Sequence, residues 1–204
     1  MTDFYQITDS LSVEEQSILG KVEAFMRYKV APIINEYWLK DEFPTHLVSD
    51  FKDLNICGRS PLLTGLIVME MGKVDPSIAT FYNIQNGLVI GSIQTCGTEE
   101  QKEKWLPALS KFEKIGCFAL TEPHSGSGIL DMKTTAERYS DDDPYYILNG
   151  QKKWVGNATW ADISIIWAKR IDGNIRGYIV DNRSNGFVVD KIKDKFGLKV
   201  CQNG

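Results

Sequence analysis

The chain has 204 residues, of which 43% are hydrophobic and 25% charged, a composition typical of a soluble globular protein with one large or two small domains. Its 27 acidic and 23 basic residues are scattered, and the formal net charge of -4 argues against a protein that binds the phosphate backbone of nucleic acids. The four cysteines are widely spaced and form no metal-ligand pattern with the two histidines, so we expect reduced thiols in an intracellular protein and no metal site.

The first half of the sequence has the period of amphipathic helices. A capping box of Ser12 and Glu15 opens the first helix, which Pro32 is expected to end or kink. Asp75 followed by a proline marks another helix start, and a second capping box begins at Thr98. Helices are thus predicted, in chain order, from residue 12, over 45–54, over 62–74, over 75–97 and from residue 98. The longest of the later helices is apolar on several sides, which predicts burial among other helices.

After Gly116 the period changes to that of strands. Short β-branched or aromatic runs, separated by turn residues, lie at 117–120, 134–139, 145–148, 163–168, 175–180 and 187–192. This pattern predicts an antiparallel sandwich or barrel, with the acidic run 141–143 in a hairpin loop. The predicted fold class is therefore α+β, with an all-helical domain over residues 1–115 and an antiparallel β-barrel or sandwich domain over residues 116–204.

Two segments combine strand ends with turn residues that can present N–H groups and hydroxyls to a ligand. They are Gly116-Cys-Phe-Ala-Leu-Thr-Glu-Pro-His-Ser-Gly-Ser-Gly128 and Asn149-Gly-Gln-Lys-Lys-Trp-Val-Gly-Asn157. Taken alone, the first segment is equally well explained as a polar loop between strands. Trp154 offers a flat ring for a conjugated cofactor, but a strand tryptophan is more often a core residue.

The titratable residues of the first segment favour structural roles. His124 could act as a general base, but its place in a turn predicts a solvated side chain. Glu122 could act as an acid, but beside a proline at a strand end we expect a structural salt bridge or hydrogen bond. The chain has no Gly-x-Gly-x-x-Gly or phosphate-loop lysine motif, which argues against a Rossmann dinucleotide site and a nucleotide triphosphatase.

Five motifs follow one another along essentially the whole chain. They are Glu70-Met-Gly-Lys-Val-Asp75, Cys96-Gly-Thr-Glu-Glu-Gln-Lys-Glu-Lys-Trp-Leu-Pro107, Phe118-Ala-Leu-Thr-Glu-Pro123, Gly126-Ser127 and Leu148-Asn-Gly-Gln-Lys-Lys-Trp154. In this order and spacing they resemble the acyl-CoA dehydrogenase and oxidase flavoprotein family. The family fold has a helical domain, a middle β-domain and a C-terminal four-helix domain. The resemblance implies that this chain contains the first two domains and lacks the third.

The resemblance also implies an FAD site. In the family, the strand end and the turn after it line the flavin, with a main chain and hydroxyl at the pyrimidine end of the ring, and a second segment packs a ring against the isoalloxazine. The expectation that Trp154 is a core residue is thereby reversed. The implied cofactor-binding residues are Phe118, Ala119, Leu120, Thr121, Ser127, Trp154, Val155 and Gly156.

The implied substrate is an acyl-CoA, with Ser127 and Thr80 as candidate contacts. The position of Ser127 lies beside the flavin phosphates and the acyl-CoA thioester arm in the family. Glutaryl-CoA dehydrogenases carry an Arg for the distal carboxylate where this chain has Ala79, next to Thr80. Without that cation a dicarboxylate would leave its distal charge unpaired, so we expect a short or medium straight-chain acyl-CoA.

Three departures from the family pattern bear on activity. Gly156 stands where dehydrogenases usually have a Thr that hydrogen-bonds flavin N5, which resembles the peroxisomal short-chain acyl-CoA oxidase branch and favours an oxidase. Gly128 replaces the usual Asp of a Gly-Ser-Asp motif. A Gly-rich loop that helps to close the acyl pocket is missing between Gly58 and Arg59.

The implied reaction is the FAD-dependent oxidation of an acyl-CoA to a trans-2-enoyl-CoA. In the family a glutamate of the C-terminal domain removes the α-proton, so no catalytic residue is assigned here, and we expect a fragment without independent turnover. The alternative is a non-catalytic truncated product that at most binds FAD or acyl-CoA. The implied partners are molecular oxygen or electron-transfer flavoprotein as acceptor and a homo-oligomer in the full-length family, with no nucleic acid.

Targeting signals are not apparent in the sequence. No apolar run approaches the roughly 20 residues that span a bilayer. The first residues lack the patterns of a secretory signal and of a transit peptide, so a mature protein beginning near Met1 is expected. We expect a peroxisomal or cytoplasmic location rather than a mitochondrial one, although the final Gln-Asn-Gly is no peroxisomal address.

Overall fold

The computed structural model describes residues 5–138, 140 and 144–204. The chain forms two compact units. One runs to Glu113 and includes Asp194–Cys201, and the other comprises Lys114–Lys193 and Gln202–Gly204. The predicted hairpin loop at 141–143, residue 139 of the second predicted strand and the predicted start at Met1 lie outside the described residues.

The first unit is helical. Its α-helices are α1 (Val13–Phe25), α2 (Ile34–Lys40), α3 (Val48–Leu54), α4 (Pro61–Val74), α5 (Pro76–Asn83), α6 (Gly91–Cys96) and α7 (Glu99–Ser110). A π-helical segment, Ile84–Ile90, joins α5 to α6, and another, Met26–Val30, extends α1. Single turns of 3-10 helix cover Ile7–Ser10 and Thr45–Leu47.

The helix starts agree with the local signals in the sequence. Ser12 and Glu15 form the predicted capping box, and Thr98 forms the second one with Gln101. Helix α2, which was not predicted, buries Ile34 and exposes most of its other residues. Its residues Ile34, Tyr37 and Trp38 have helical spacing, but the run is only seven residues long and follows Pro32, which was expected to end a helix.

A cluster of phenylalanine rings forms the centre of the helical core. The ring of Phe51 lies 5.1 Å from that of Phe25 and 5.2 Å from that of Phe81, in edge-to-face geometry that aromatic pairs prefer. Phe81 and the neighbouring Tyr82 are fully buried on α5, and the Tyr82 hydroxyl donates to the Ile56 carbonyl at 2.9 Å. The predicted burial of the helix over 75–97 is confirmed at these residues.

Replacing Asp75 with Ala is expected to lower the free energy of unfolding by about 1–2 kcal/mol. The buried Asp75 carboxylate caps α5 by accepting from the N–H groups of Ser77 at 2.7 Å and Ile78 at 3.1 Å. Asp75→Asn keeps an acceptor oxygen and serves as the matched control. Urea denaturation followed by circular dichroism measures the difference, and equal losses in both variants would contradict the capping role.

The second unit contains one described sheet of five strands. They are β1 (Gly116–Ala119), β2 (Thr135–Glu137), β3 (Ile147–Asn149), β4 (Ile163–Lys169) and β5 (Ile175–Asp181). Strand β4 is central, with β5 antiparallel on one edge and β1 parallel on the other. Strand β2 meets the end of β4 at Lys169 and pairs with β3 in antiparallel register.

The fold class, helical residues followed by a β-unit, is confirmed, but two details of the sheet prediction are wrong. The sheet is mixed rather than antiparallel, because the connection from β1 returns the chain to the same end before β4 begins. Strand propensity does not specify direction, so the sequence pattern could not reveal this. Residues 187–192 form no strand; the Ile192 N–H instead donates to the Asn203 carbonyl at 2.9 Å.

Candidate functional site

The first candidate segment leaves β1 and turns back at once. Phe118 and Ala119 end the strand, and Glu122 and Ser125 close a tight turn through reciprocal backbone hydrogen bonds of 2.9 and 3.2 Å. Pro123 occupies the second position of this turn, where its fixed φ is favourable. Leu120 and Thr121 are thus held between the strand end and the turn, half-buried.

The second candidate segment presents Trp154 to solvent. This tryptophan is 54% exposed. Its backbone is left-handed, with φ of 64°, a conformation that is rare for a bulky residue and is often found at functional sites. The next residue, Val155, is buried and exchanges two 3.0 Å backbone hydrogen bonds with Gly204. Gly156, the residue after it, is also buried. Trp154 is therefore not a core residue, which contradicts the general pattern of strand tryptophans that the resemblance had already reversed.

The structure brings the two segments side by side. The Lys153 N–H donates to the Thr121 carbonyl at 2.8 Å. The Lys152 ammonium donates to the Leu120 carbonyl and to the Glu122 carboxylate, both at 2.9 Å. Two consecutive residues of the second segment therefore bind three consecutive residues of the first, about 30 positions earlier in the chain.

Glu122 is the buried acceptor at the contact between the two segments, which we call the junction. Its carboxylate accepts from the Lys133 N–H at 2.8 Å, from the Thr134 N–H at 2.9 Å and from the Thr134 hydroxyl, besides Lys152. Burial by itself raises the pKa of Glu122, but these donors outweigh it and lower the pKa to about 2. The predicted structural role of Glu122 is confirmed, and its carboxylate is unsuited to accept a proton at neutral pH.

Lys152 is the buried cation of the same junction. Its side chain is 8% exposed, and burial lowers its pKa while the hydrogen bond to Glu122 opposes that effect. Sequence analysis did not select Lys152. No local signal distinguishes it from the exposed Lys153 beside it, because the Glu122 contact that buries Lys152 spans 30 positions of the chain.

Two polar side chains of the first segment remain available to a ligand. The Thr121 hydroxyl has no hydrogen-bond partner within the part of the chain that the structure describes, and the same is true of the exposed Ser127 hydroxyl. His124 is solvated as predicted, with 42% of its side chain exposed, and its Nε2 lies 3.3 Å from the Glu122 carboxylate. Thr80 lies on α5 of the other unit, where its hydroxyl donates to the Pro76 carbonyl at 2.8 Å.

Two departures from the family pattern have local structural counterparts. A Cβ at Gly128 would lie 2.9 Å from the Asp131 carboxylate, so an Asp in place of Gly128 would face a like charge. At the short connection from α3 to α4, the Gly58 N–H donates to the Asn86 side chain at 3.1 Å and the Arg59 guanidinium to the Asn55 carbonyl at 2.8 Å.

A cavity of about 860 Å³ adjoins both segments within the β-unit. Its wall includes Ala119 and Pro123 from the first segment and Lys152, Lys153 and Val155 from the second. Within the described residues, no group of His, Cys, Asp or Glu could hold a metal ion, and no helix is long and apolar enough to cross a membrane. None of the four cysteines, all of which lie in the described part of the chain, forms a disulfide.

Comparison with known proteins identifies relatives for both units. Residues 12–113 match the acyl-CoA dehydrogenase N-terminal domain, and residues 117–204 match the acyl-CoA dehydrogenase middle domain. The chain is 30% identical to the mitochondrial isovaleryl-CoA dehydrogenase of Pongo abelii over 211 residues, which cover 94% of this chain and 49% of that protein.

Solved structures give the same result. A glutaryl-CoA dehydrogenase from Mycobacterium smegmatis, in complex with FADH2, is 32% identical, with a TM-score of 0.90 over 98% of this chain and 53% of that one. Butyryl-CoA dehydrogenase from Megasphaera elsdenii is 30% identical, with a TM-score of 0.87 over 95% of this chain and 55% of that one. The chain spans about half the length of these relatives. It belongs to the acyl-CoA dehydrogenase family.

Proposed function

We propose that this chain supplies the surface that contacts the flavin, here called the flavin wall, in an enzyme that oxidises an acyl-CoA thioester to a trans-2-enoyl-CoA. The observation that carries the proposal is the contact between the two segments, in which the N–H of Lys153, the residue before the exposed Trp154, donates to the carbonyl of Thr121, whose hydroxyl is available. A flat ring and a nearby hydroxyl suit a planar ligand with a polar edge. The FADH2 bound to the glutaryl-CoA dehydrogenase relative supports FAD as that ligand.

The residues present fit FAD. Trp154 would cover the flat face of its ring system, and Leu120 and Thr121 would bind its polar edge through main-chain groups and a hydroxyl. Ser127, exposed in the loop after the turn, would bind the phosphates and the substrate arm. When bound, FAD supplies the acceptor for the hydride that leaves the β-carbon of the thioester.

The same geometry limits what Glu122 can do. Four donors hold its carboxylate in the ionised form, and removal of a substrate proton would require it to leave them. A general base works best with a pKa near the operating pH, far above that of Glu122. We therefore assign Glu122 to the support of the flavin wall and not to abstraction of the α-proton.

For the substrate, we propose a short or medium straight-chain acyl-CoA. Ala79 in place of a cation disfavours a dicarboxylate, and the similarity to a butyryl-CoA dehydrogenase supports a short chain. For the acceptor, Gly156 favours molecular oxygen, whereas the names of the relatives favour a dehydrogenase that passes electrons to an electron-transfer flavoprotein.

The visible absorption spectrum of the purified protein, incubated with FAD and then desalted, tests the proposal. We expect retained yellow flavin with shifted bands that change again when butyryl-CoA is added. A colourless protein would contradict a flavin site on this chain. Flavin bands that ignore butyryl-CoA would contradict the acyl-CoA part and support a module that binds flavin alone.

Replacing Trp154 with Ala is expected to weaken FAD binding by roughly tenfold or more, because stacking of an aromatic ring on a planar ligand contributes about 1–3 kcal/mol. The melting temperature should change little, since more than half of the residue is exposed. Trp38→Ala, which removes a partly exposed tryptophan of the helical unit, is the matched control. Fluorescence titration with FAD measures both; equal affinities in the two variants would contradict the assigned contact.

A further inference from the structure

Lys152 makes hydrogen bonds that have no role in the proposed reaction. It is nearly buried, yet it lies two residues before the exposed Trp154. Its ammonium reaches across to the first segment and binds two acceptors there, the Leu120 carbonyl and the Glu122 carboxylate. A buried ammonium is expensive to desolvate, and these two acceptors compensate part of that cost only while Lys152 keeps this position.

The two acceptors of Lys152 bracket Thr121. The carbonyl of Leu120 precedes Thr121 and the side chain of Glu122 follows it, and the Thr121 carbonyl itself accepts the Lys153 N–H. A shift of the second segment would therefore displace Trp154 and the Thr121 hydroxyl relative to one another. The Lys153 bond is made by the backbone N–H and survives every side-chain substitution except proline. Lys152 is therefore the link that a substitution can remove selectively.

We propose that Lys152 is a positioning residue that holds Trp154 and Thr121 in register for the flavin, acting through Leu120 and Glu122. The inference rests on the proposed function, because register matters only if both residues contact one ligand. Supporting residues of this kind hold contacting groups within a fraction of an ångström of their productive positions. Lys152 itself need not touch the ligand.

A matched control exists at the other end of β1. The Lys114 ammonium binds the Asp162 carboxylate at 2.7 Å, and the other carboxylate oxygen accepts the Ile115 N–H at 2.8 Å. This second lysine also joins the start of β1 to a distant segment, 48 positions later, but it lies away from Trp154 and Thr121 in the chain. Lys114→Met should lower stability without altering flavin binding.

The test compares Lys152→Met, Lys152→Arg and Lys114→Met with the unaltered protein in FAD titrations and in visible spectra of the bound flavin. We expect Lys152→Met to raise the dissociation constant roughly tenfold and to move the flavin bands towards those of free FAD. Lys152→Arg, whose guanidinium can donate to both acceptors, should recover most of the affinity. Lys114→Met should leave both measurements unchanged at temperatures where it is folded.

The outcomes separate the two proposals. If the unaltered protein binds no FAD, the proposed function fails. If it binds FAD and Lys152→Met binds with the same affinity and the same bands, the positioning role is overturned. Should Lys152→Met not fold, Lys152→Gln replaces it, since its shorter, uncharged side chain removes the ammonium but keeps a polar group; unchanged affinity and bands in that variant would equally overturn the role.

Discussion

Replacing Glu122 with Gln is expected to lower the free energy of unfolding by about 3 kcal/mol at pH 7. The buried carboxylate loses its charge, and the Lys152 ammonium, 8% exposed, keeps only the Leu120 carbonyl as a strong acceptor. A buried charge deprived of its counter-ion is among the costliest defects in a folded protein. Urea denaturation followed by tryptophan fluorescence measures the loss.

The pH dependence of the same variant gives a sharper result. The folded-state pKa of Glu122, about 2, lies below the value of about 4.3 for a glutamate in an unfolded chain. The stabilisation is therefore complete above about pH 5 and is lost as the pH falls through 4.3 towards 2. The stability difference between the unaltered protein and Glu122→Gln should shrink over this window.

Exposed carboxylates provide the comparison. Glu36 forms a surface ion pair with Lys40, and Glu36→Gln is expected to leave the stability almost unchanged, because surface pairs contribute little. A stability difference for Glu122→Gln that stays constant from pH 7 to pH 3 would show that its carboxylate is not the group that titrates.

Replacing Gly150 with Ala is expected to lower the free energy of unfolding by about 3 kcal/mol. Gly150 has φ of +155°, and a Cβ there would lie 2.4 Å from the Thr134 hydroxyl oxygen and 2.6 Å from the Thr134 Cα. Thr134 cannot readily yield, because it donates twice to Glu122 and its carbonyl accepts the Lys169 N–H at 2.8 Å. The substitution should also weaken FAD binding, since it displaces the support of Glu122.

A substitution at a second glycine measures the cost of the backbone conformation without the steric contact. Gly173 has φ of +80° but open space around its Cβ position, so Gly173→Ala carries only the conformational cost of about 1 kcal/mol. Thermal unfolding of both variants, with FAD titrations of each, makes the comparison. Equal losses of stability would mean that Thr134 moves aside and that the contact at Gly150 is unimportant.

The helical unit was predictable to the extent that its signals are local. Ser12, Asp75 and Thr98 each cap a helix by accepting from an N–H two or three residues later, so the cause and the effect lie within one turn. Helix α2 escaped prediction because its seven residues give too short a periodic pattern and follow Pro32, the expected end of the preceding helix. The same lack of local information left the strand directions open.

The β-unit shows how far local patterns reach. Runs of β-branched residues located β1, β2, β4 and β5 closely, but the similar run at 187–192 forms no strand. The parallel pairing of β1 with β4 joins residues 47 positions apart, as between Cys117 and Ser164. Pairing depends on the path of the intervening chain, which strand propensity does not describe.

Some features of the candidate site were likewise predictable from the sequence, and others were decided only by the tertiary structure. The composition, the two Gly-rich segments and the family motifs are properties of the sequence, and they sufficed for the family, the fold class and the segments of interest. The exposure of Trp154 and the Glu122–Lys152 pair arose only on folding, because a left-handed backbone turns the ring outward and a contact across 30 residues orders the charges. The hydrophobic period and the helix caps depend on contacts within about four residues, so the sequence shows them directly. Strand register and buried ion pairs depend on residues that are distant in the sequence and come together only in the folded chain.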